Sequence, residues 1–314
     1  MKCTANPTPA GAMTQLRVSI VHWNRPAECL ATVASLQEQN LPLAITVVDN
    51  HSTDDEFKRL IQGLPGHVEV IRLAANVGWG RAHNIVLRRW LEEESSEFCV
   101  VSAHDALPGR ACLQRLLTAL GEHADWGMAC PEYGRSELPT YSVLRGARIQ
   151  PVPARRPGTR EEVPYAHGTL AVLRRECIAD IGMYDEGYFA YGDETEIGLR
   201  ATRRGWKVGL VWGAVVINPG SWSGNAVIGY LWTRSSLRLA RTYGGVLGLL
   251  LRASYVAAVT CALWLRRAPA NSISSPRARW LALRDYWRGC SGDPPGELLS
   301  AVAVGPKGPS GDPD

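Results

Sequence analysis

An aromatic run, Tyr188-Phe189-Ala190-Tyr191, leads through Gly192 into the acidic stretch Asp193-Glu194-Thr195-Glu196. A carboxylate on the floor of a pocket walled by rings is suited to draw the proton from a hydroxyl as it attacks carbon. The same stretch also reads as a helix start whose acids are stabilised by the helix dipole. Upstream, Val47-Val48-Asp49-Asn50-His51-Ser52-Thr53-Asp54 places a carboxylate at the end of an apolar run. Asp49 there could accept hydrogen bonds from a nucleobase imide and from backbone amides, or Asp49 or Ser52 could cap the next helix. Asn76-Val77-Gly78-Trp79-Gly80-Arg81-Ala82-His83-Asn84 is a glycine-containing turn entering a helix. Glycine lets backbone approach a ligand, and a helix N-terminus favours anions, although an ordinary strand-to-helix loop has the same pattern. Ser102-Ala103-His104-Asp105 ends another apolar run. A carboxylate there could hold Mg²⁺ or Mn²⁺, which prefer oxygen ligands and neutralise a departing diphosphate; the alternative is a loop-capping Asp.

The elements that must position these residues follow from periodicity. Strands are expected at 16–21, 43–48, 67–73 and 98–102, alternating with helices at 26–39, 56–64 and 81–94. In the first helix Leu30, Val33, Ala34 and Leu36 make an apolar face. This alternation predicts an α/β fold with a Rossmann-like, mostly parallel, doubly wound sheet flanked by helices. Such sheets bind ligands beyond the carboxyl ends of their strands, where Asp49, Asn76 and Asp105 fall. Residues 132–164, rich in Pro, Arg and Gly, read as a loop or irregular hairpin that shapes a pocket. Regular structure is expected to resume with a strand at 169–173, helices from 175 and over 194–204, and strands at 208–211 and 215–217.

The C-terminal part differs in character. Residues 230–243 suit a basic amphipathic helix, and 244–265 are apolar apart from Arg252. That length could span a bilayer. Arg252 at its centre and the flanking Arg234, Arg238, Arg241, Arg266 and Arg267 favour helices that lie on a membrane surface or pack on the domain. From 291 onward the Gly- and Pro-rich composition predicts disorder. The organisation expected is an α/β unit over 14–228, a membrane-associated or packed helical region over 229–290 and a disordered tail over 291–314. The eight cysteines form no C-x-x-C pair, which disfavours a zinc site and suits reduced thiols in a cytoplasmic protein. Residues 1–15 contain no long apolar stretch, so no secretory signal is expected. A net charge of +4 with scattered Arg disfavours nucleic acid and suits small anionic ligands or lipid headgroups.

Taken in order, these motifs resemble those of family-2 glycosyltransferases of the GT-A fold, nearest the bacterial rhamnosyltransferase-like branch, over 17–223. The resemblance implies an inverting transfer of a sugar from a dTDP- or UDP-sugar, such as dTDP-rhamnose. The acceptor hydroxyl would belong to a glycan, a lipid-linked glycan or a natural product. It assigns the donor to Asn24, Asp49, Asn50, Ser52, Asn76, Gly78, Arg81, Asn84 and His104, and a Mn²⁺ or Mg²⁺ ion to Asp105. It puts the catalytic base at Glu194 or Asp193, and Phe189, Tyr191, Glu196 and Trp222 on the acceptor side. It implies a cytoplasmic enzyme, peripheral on the inner face of the membrane where the acceptor is lipid-linked. Three departures stand out: the order Asp193-Glu194 exchanges the usual Glu-Asp, His104 replaces the first acid of the metal motif, and Asn218 stands near a usual His. A sugar-phosphate nucleotidyltransferase would need a Gly-rich basic signature after the first strand, where Val21-His22-Trp23-Asn24-Arg25 stands instead. A non-catalytic GT-A-like binding subunit is the other alternative.

Overall fold

The computed structural model describes residues 15–93, 96–218 and 225–299. The chain opens with β1 (Leu16–His22), α1 (Pro26–Gln37), β2 (Leu43–Asp49), α2 (Asp54–Gly63), β3 (Glu69–Arg72), α3 (Trp79–Glu93) and β4 (Phe98–Ala103). These strands lie in the order β3-β2-β1-β4, all parallel. Strands covered on both faces read as near-continuous apolar runs. Along β4, Val100 packs in one layer with Val33 and Leu36 of α1. Cys99 and Val101 pack in the opposite layer with Leu87 and Trp90 of α3, the two-residue repeat of a pleated strand. Helix α2 starts at Asp54 rather than residue 56, because Thr53 accepts the Glu56 amide as its cap and three acids fill the first turn.

Next come β5 (Leu107–Pro108), α4 (Cys112–Glu122), β6 (Trp126–Glu132), β7 (Glu137–Ser142), β8 (Gly146–Pro151), β9 (Arg160–Glu162), β10 (Leu170–Arg174), α5 (Arg175–Ile181), α6 (Asp193–Arg203) and β11 (Lys207–Ile217). The sheet continues β4-β10-β6-β11-β5, with β9 paired on β11. β10 runs antiparallel to both neighbours, whereas β6 and β11 are parallel. The stretch expected to be a loop or hairpin contains a regular one, β7–β8. The two strands expected at 208–211 and 215–217 are the single β11. Gly213, at φ 84°, donates its N–H to Glu132 (2.6 Å), and the pairing with β6 shifts between Val211 and Val215. A glycine bulge carries the strand across the apolar gap.

The C-terminal region comprises α7 (Asn225–Leu265), α8 (Pro276–Trp287) and the short α9 (Gly296–Leu299). Gly245, at φ 65° and ψ −158°, breaks α7 into two arms. The first arm packs Ala226, Val227, Tyr230 and Leu231 against Phe189, Ala190 and Tyr191. By length and composition α7 could cross a membrane. Arg252, expected as an interruption of an apolar run, is buried and donates to Ser236 Oγ (3.0 Å) and the Leu144 carbonyl (2.7 Å). On the same arm Val246, Leu247, Leu250 and Leu251 are exposed, as are Trp264 and Leu265. Where a disordered tail is expected from 291, the described chain runs on to Leu299, with Leu298 buried against the first arm of α7. Cys29, Cys99, Cys112, Cys130 and Cys177 are buried free thiols, and Cys261 and Cys290 are exposed ones.

Candidate active site

Asp49 ends β2 beside His22, which ends β1. Its carboxylate is fully buried and meets His22 Nδ1 (2.9 Å), Ser52 Oγ (2.5 Å) and Arg72 Nε (3.5 Å). Burial raises the carboxyl's pKa, but the His22 and Ser52 hydrogen bonds prevail and hold it below the usual range. Both oxygens therefore brace the loop rather than face open space. Asn24, at φ 53°, completes the brace by accepting the Thr53 amide (2.8 Å), while its own amide donates to Ser52 Oγ (2.9 Å). His22 and Arg72 were not singled out from sequence, where they read as ordinary strand residues.

Asn50 reaches across to the turn after β3. It accepts from the Val77 amide (2.9 Å) and donates to the Gly78 carbonyl (3.2 Å). Asn76 accepts from the Gly78 amide (3.0 Å). The turn is joined in its own right to the aromatic run: Trp79 N–H donates to the Phe189 carbonyl (2.8 Å), and Gly80 N–H to Asp193 Oδ2 (2.9 Å). Asp193 thus caps the start of α3. Asn84 holds the far side of the same loop, donating to the Tyr184 carbonyl (2.9 Å) and accepting its amide (3.0 Å). Arg81 pairs at the surface with Glu186 (3.1 Å). Gly78 sits at φ 89°, and a Cβ there would lie 2.3 Å from the Phe189 carbonyl oxygen. Gly78→Ala is accordingly expected to destabilise the chain by about 1–3 kcal/mol, read as a lowered urea midpoint.

The acidic stretch opens α6, and its carboxylates separate. Asp193 is buried on the α3 cap. Glu194, half-buried, accepts from the Gly192 amide (3.0 Å), and its Cγ lies over Gly168 beside the Trp79 ring. Its withdrawal from water, then the neighbouring Asp193 charge and a hydrogen bond to that carboxylate, push its pKa well above the ordinary range. Glu196, expected on the acceptor side, is engaged elsewhere: it pairs with Arg200 (2.7 Å) and accepts from Tyr243 Oη (3.1 Å). Two residues along a helix turn a side chain about 200°, so Glu194 and Glu196 cannot share a face. Phe189 and Tyr191 pack on the first arm of α7.

Asp105 follows β4 and is 7% exposed. Burial raises its pKa to about 6. Asn218 links it to the neighbouring strand, with Nδ2 at 3.5 Å from Asp105 Oδ1 and 3.3 Å from Thr169 Oγ1. Thr169 in turn meets Tyr133 Oη (3.1 Å), whose ring stacks on His167 at 4.1 Å. A path His167-Gly168-Thr169 therefore runs from beneath Glu194 to Asp105. It was missed in the sequence, where the only signal is a small, polar run opening a strand. His104 is turned inward: Nδ1 lies 3.3 Å from the Val21 carbonyl, and burial lowers its pKa to about 4. Trp222 lies outside the described residues.

The described residues hold no group of three His, Cys, Asp or Glu side chains able to enclose a metal ion. A single carboxylate, that of Asp105, suits a cation that takes its other ligands from substrate phosphates and water, the habit of Mg²⁺ and Mn²⁺.

The fold matches solved structures at low identity. One is GalNAc-T7 with UDP, GalNAc and Mn²⁺, at TM-score 0.59 and 16% identity over 92% of this chain and 56% of that one. Another is the mannosyltransferase PcManGT from Pyrobaculum calidifontis with GDP-Man and Mn²⁺, at TM-score 0.53 and 17% identity over 92% and 86%. The architecture is that of a GT-A glycosyltransferase. Residues 18–182 match the model of Glycosyl transferase family 2, and the chain belongs to that family. Over 193 residues it is 25% identical to the N-acetylglucosaminyl-diphospho-decaprenol L-rhamnosyltransferase of Mycobacterium tuberculosis strain H37Rv, covering 52% of this chain and 62% of that relative. The same enzyme name and the same figures hold for strain CDC 1551. The chain thus spans less than two thirds of these relatives, and its likeness is to the rhamnosyltransferase-like branch.

Proposed function

We propose that the chain transfers a sugar, with inversion, from a nucleoside-diphosphate donor to an acceptor hydroxyl. The observation that carries this reading is Glu194 seated over Gly168, next in the chain to Thr169, whose hydroxyl the Asn218 side chain joins to Asp105. Glu194 takes the proton of the acceptor hydroxyl, and the Gly192 amide fixes one of its oxygens. Asp193 positions Glu194 and raises its proton affinity, so the base side chain is Glu194 despite the exchanged order. Asp105 would hold Mn²⁺ or Mg²⁺, which would neutralise the departing diphosphate. The braced ends of β1 and β2, with Asn24, Asp49 and Ser52, shape the nucleoside side through backbone held in fixed geometry. The donor in this reading is a dTDP- or UDP-linked sugar, rhamnose foremost, and the acceptor is lipid-linked and met at the inner membrane surface; the relative's name, a rhamnosyltransferase acting on a diphospho-decaprenol, supports the sugar and the lipid linkage. The exposed apolar face of α7 supports that location.

Turnover across dTDP-, UDP- and GDP-sugars, with and without Mn²⁺, tests the reading; no hydrolysis or transfer with any donor would leave a binding subunit. The pH profile tests the base. A carboxyl with raised pKa ionises only at higher pH, so kcat/KM should climb through a limb above the ordinary carboxylate range. Asp193→Asn removes the neighbouring charge, lowers the Glu194 pKa and should move that limb toward lower pH. A limb that stays in place would show that another group titrates.

A further inference from the structure

Away from the strand ends, a cavity of about 330 Å³ lies between the β7–β8 hairpin, both arms of α7 and α8. Its wall carries Arg145, Arg148, Arg252 and Arg279, and among the described residues no Asp or Glu lines it. Among the described residues none of these four guanidinium groups pairs with a carboxylate. Arg279 Nε is buried with no hydrogen-bond partner. Arg252 is buried and has two neutral acceptors, Ser236 and the Leu144 carbonyl. Burial, then repulsion from Arg279, lowers its pKa to about 10. Keeping Arg252 and the buried Nε of Arg279 without a counter-charge, with two more guanidinium groups on the same wall, disfavours the empty protein, and an anion would remove that penalty. Guanidinium groups bind phosphate through paired N–H donors, which makes arginine the residue suited to this anion.

The rest of the wall is mostly apolar or aromatic, with Trp232, Tyr255, Val259 and Ile273 beside the hydroxyls of Thr233 and Ser236. Beyond the cavity, the second arm of α7 exposes Leu247, Leu250 and Leu251. Tyr191 and Gly192 also line the cavity, and the Gly192 amide is the donor that holds Glu194. The pocket therefore adjoins the candidate base through Gly192.

We propose that this arginine-lined cavity seats the phosphate or diphosphate of an amphiphilic acceptor, whose apolar tail leaves along the exposed arm of α7 and whose sugar hydroxyl reaches Glu194. The cavity's ligand is an anion with a tail; the word acceptor rests on the transferase reading above. Farnesyl diphosphate is a soluble probe of this chemistry, and tryptophan fluorescence of the full chain reports its binding through Trp232. The wild type should bind it, farnesol should fail to compete, and inorganic pyrophosphate should compete more weakly than the prenylated form. Arg148→Gln with Arg279→Gln should weaken binding about tenfold or more. Arg145→Gln with Arg148→Gln, both on the exposed hairpin, repeats the test where the first pair fails to fold. Arg88→Gln, on the exposed face of α3, should bind as the wild type does. Unchanged affinity in the arginine pairs, competition by farnesol equal to that of the diphosphate, or equal competition by phosphatidylglycerol vesicles would each overturn the proposal. Hydrolysis of nucleotide sugars by the wild type is scored separately. Arginine-dependent binding without hydrolysis would keep the anion site and sink the transferase reading; hydrolysis with arginine-independent binding would do the reverse.

Discussion

Glu194→Gln should lower kcat for sugar transfer by about 10²–10⁴-fold, the span over which a positioned base acts. The amide keeps the length of the side chain and an oxygen to accept the Gly192 N–H, so the turn at Tyr191 and Gly192 should stand unchanged. What it loses is the capacity to take a proton. Donor KM should therefore move little, because the donor is assigned to the strand ends and not to α6. The variant should also be at least as stable as the parent, since a carboxyl whose charged form is disfavoured by burial and by the neighbouring Asp193 is replaced by a neutral group. Steady-state kinetics at saturating donor, with thermal unfolding on the same sample, separates these effects. Full turnover in Glu194→Gln would remove Glu194 from the chemistry and leave Asp193 as the candidate.

Asp105→Asn should cost about 10²–10³-fold in kcat and abolish the response to Mn²⁺, as expected when several kcal/mol of charge stabilisation on a leaving group is lost. Asn218 and Thr169 remain in place to hold the loop, and the variant no longer buries a carboxylate whose pKa is raised to about 6. Its melting temperature near neutral pH should therefore not fall. The same raised pKa sets a sign for metal binding in the parent. Below about pH 6 the acid form prevails and a proton competes with the cation, so apparent Mn²⁺ affinity should drop as pH falls through that value. Manganese activation that persists in Asp105→Asn would place the cation on other ligands.

The parallel half of the sheet was legible because β1, β2 and β4 are buried on both faces and leave near-continuous apolar runs. The same runs put Asp49 and Asp105 at strand ends. The insertion of β10 antiparallel between β4 and β6 was not legible, since its partners are distant in sequence and a central strand looks alike in either direction. β6 itself, Trp126-Gly127-Met128-Ala129-Cys130-Pro131-Glu132, carries a glycine and a proline that weaken a strand pattern. In the site, residue type identified the positions better than it identified their partners. Asn50 and Asn84 look like ligand contacts in a glycine-rich neighbourhood, yet both bind backbone. Glu196 stands in the same acidic run as Glu194, but helical rotation sends it to Arg200 and Tyr243. Gly168 and Thr169 show in sequence only as a small, polar run before a strand, and only the fold brings Gly168 under Glu194 and Thr169 beside Asn218.

The first arm of α7 covers the aromatic run from behind, and Tyr243 near its end bonds Glu196, two residues along the helix that bears Glu194. The C-terminal helices are thus masonry of the candidate site and not a removable tether. Where related enzymes are recombined, a splice placed between β11 and α7 would sever a wall. Acceptor preference should be inherited with the helices and donor preference with the sheet, so the two choices can drift apart over generations while the seam between them is conserved as a unit.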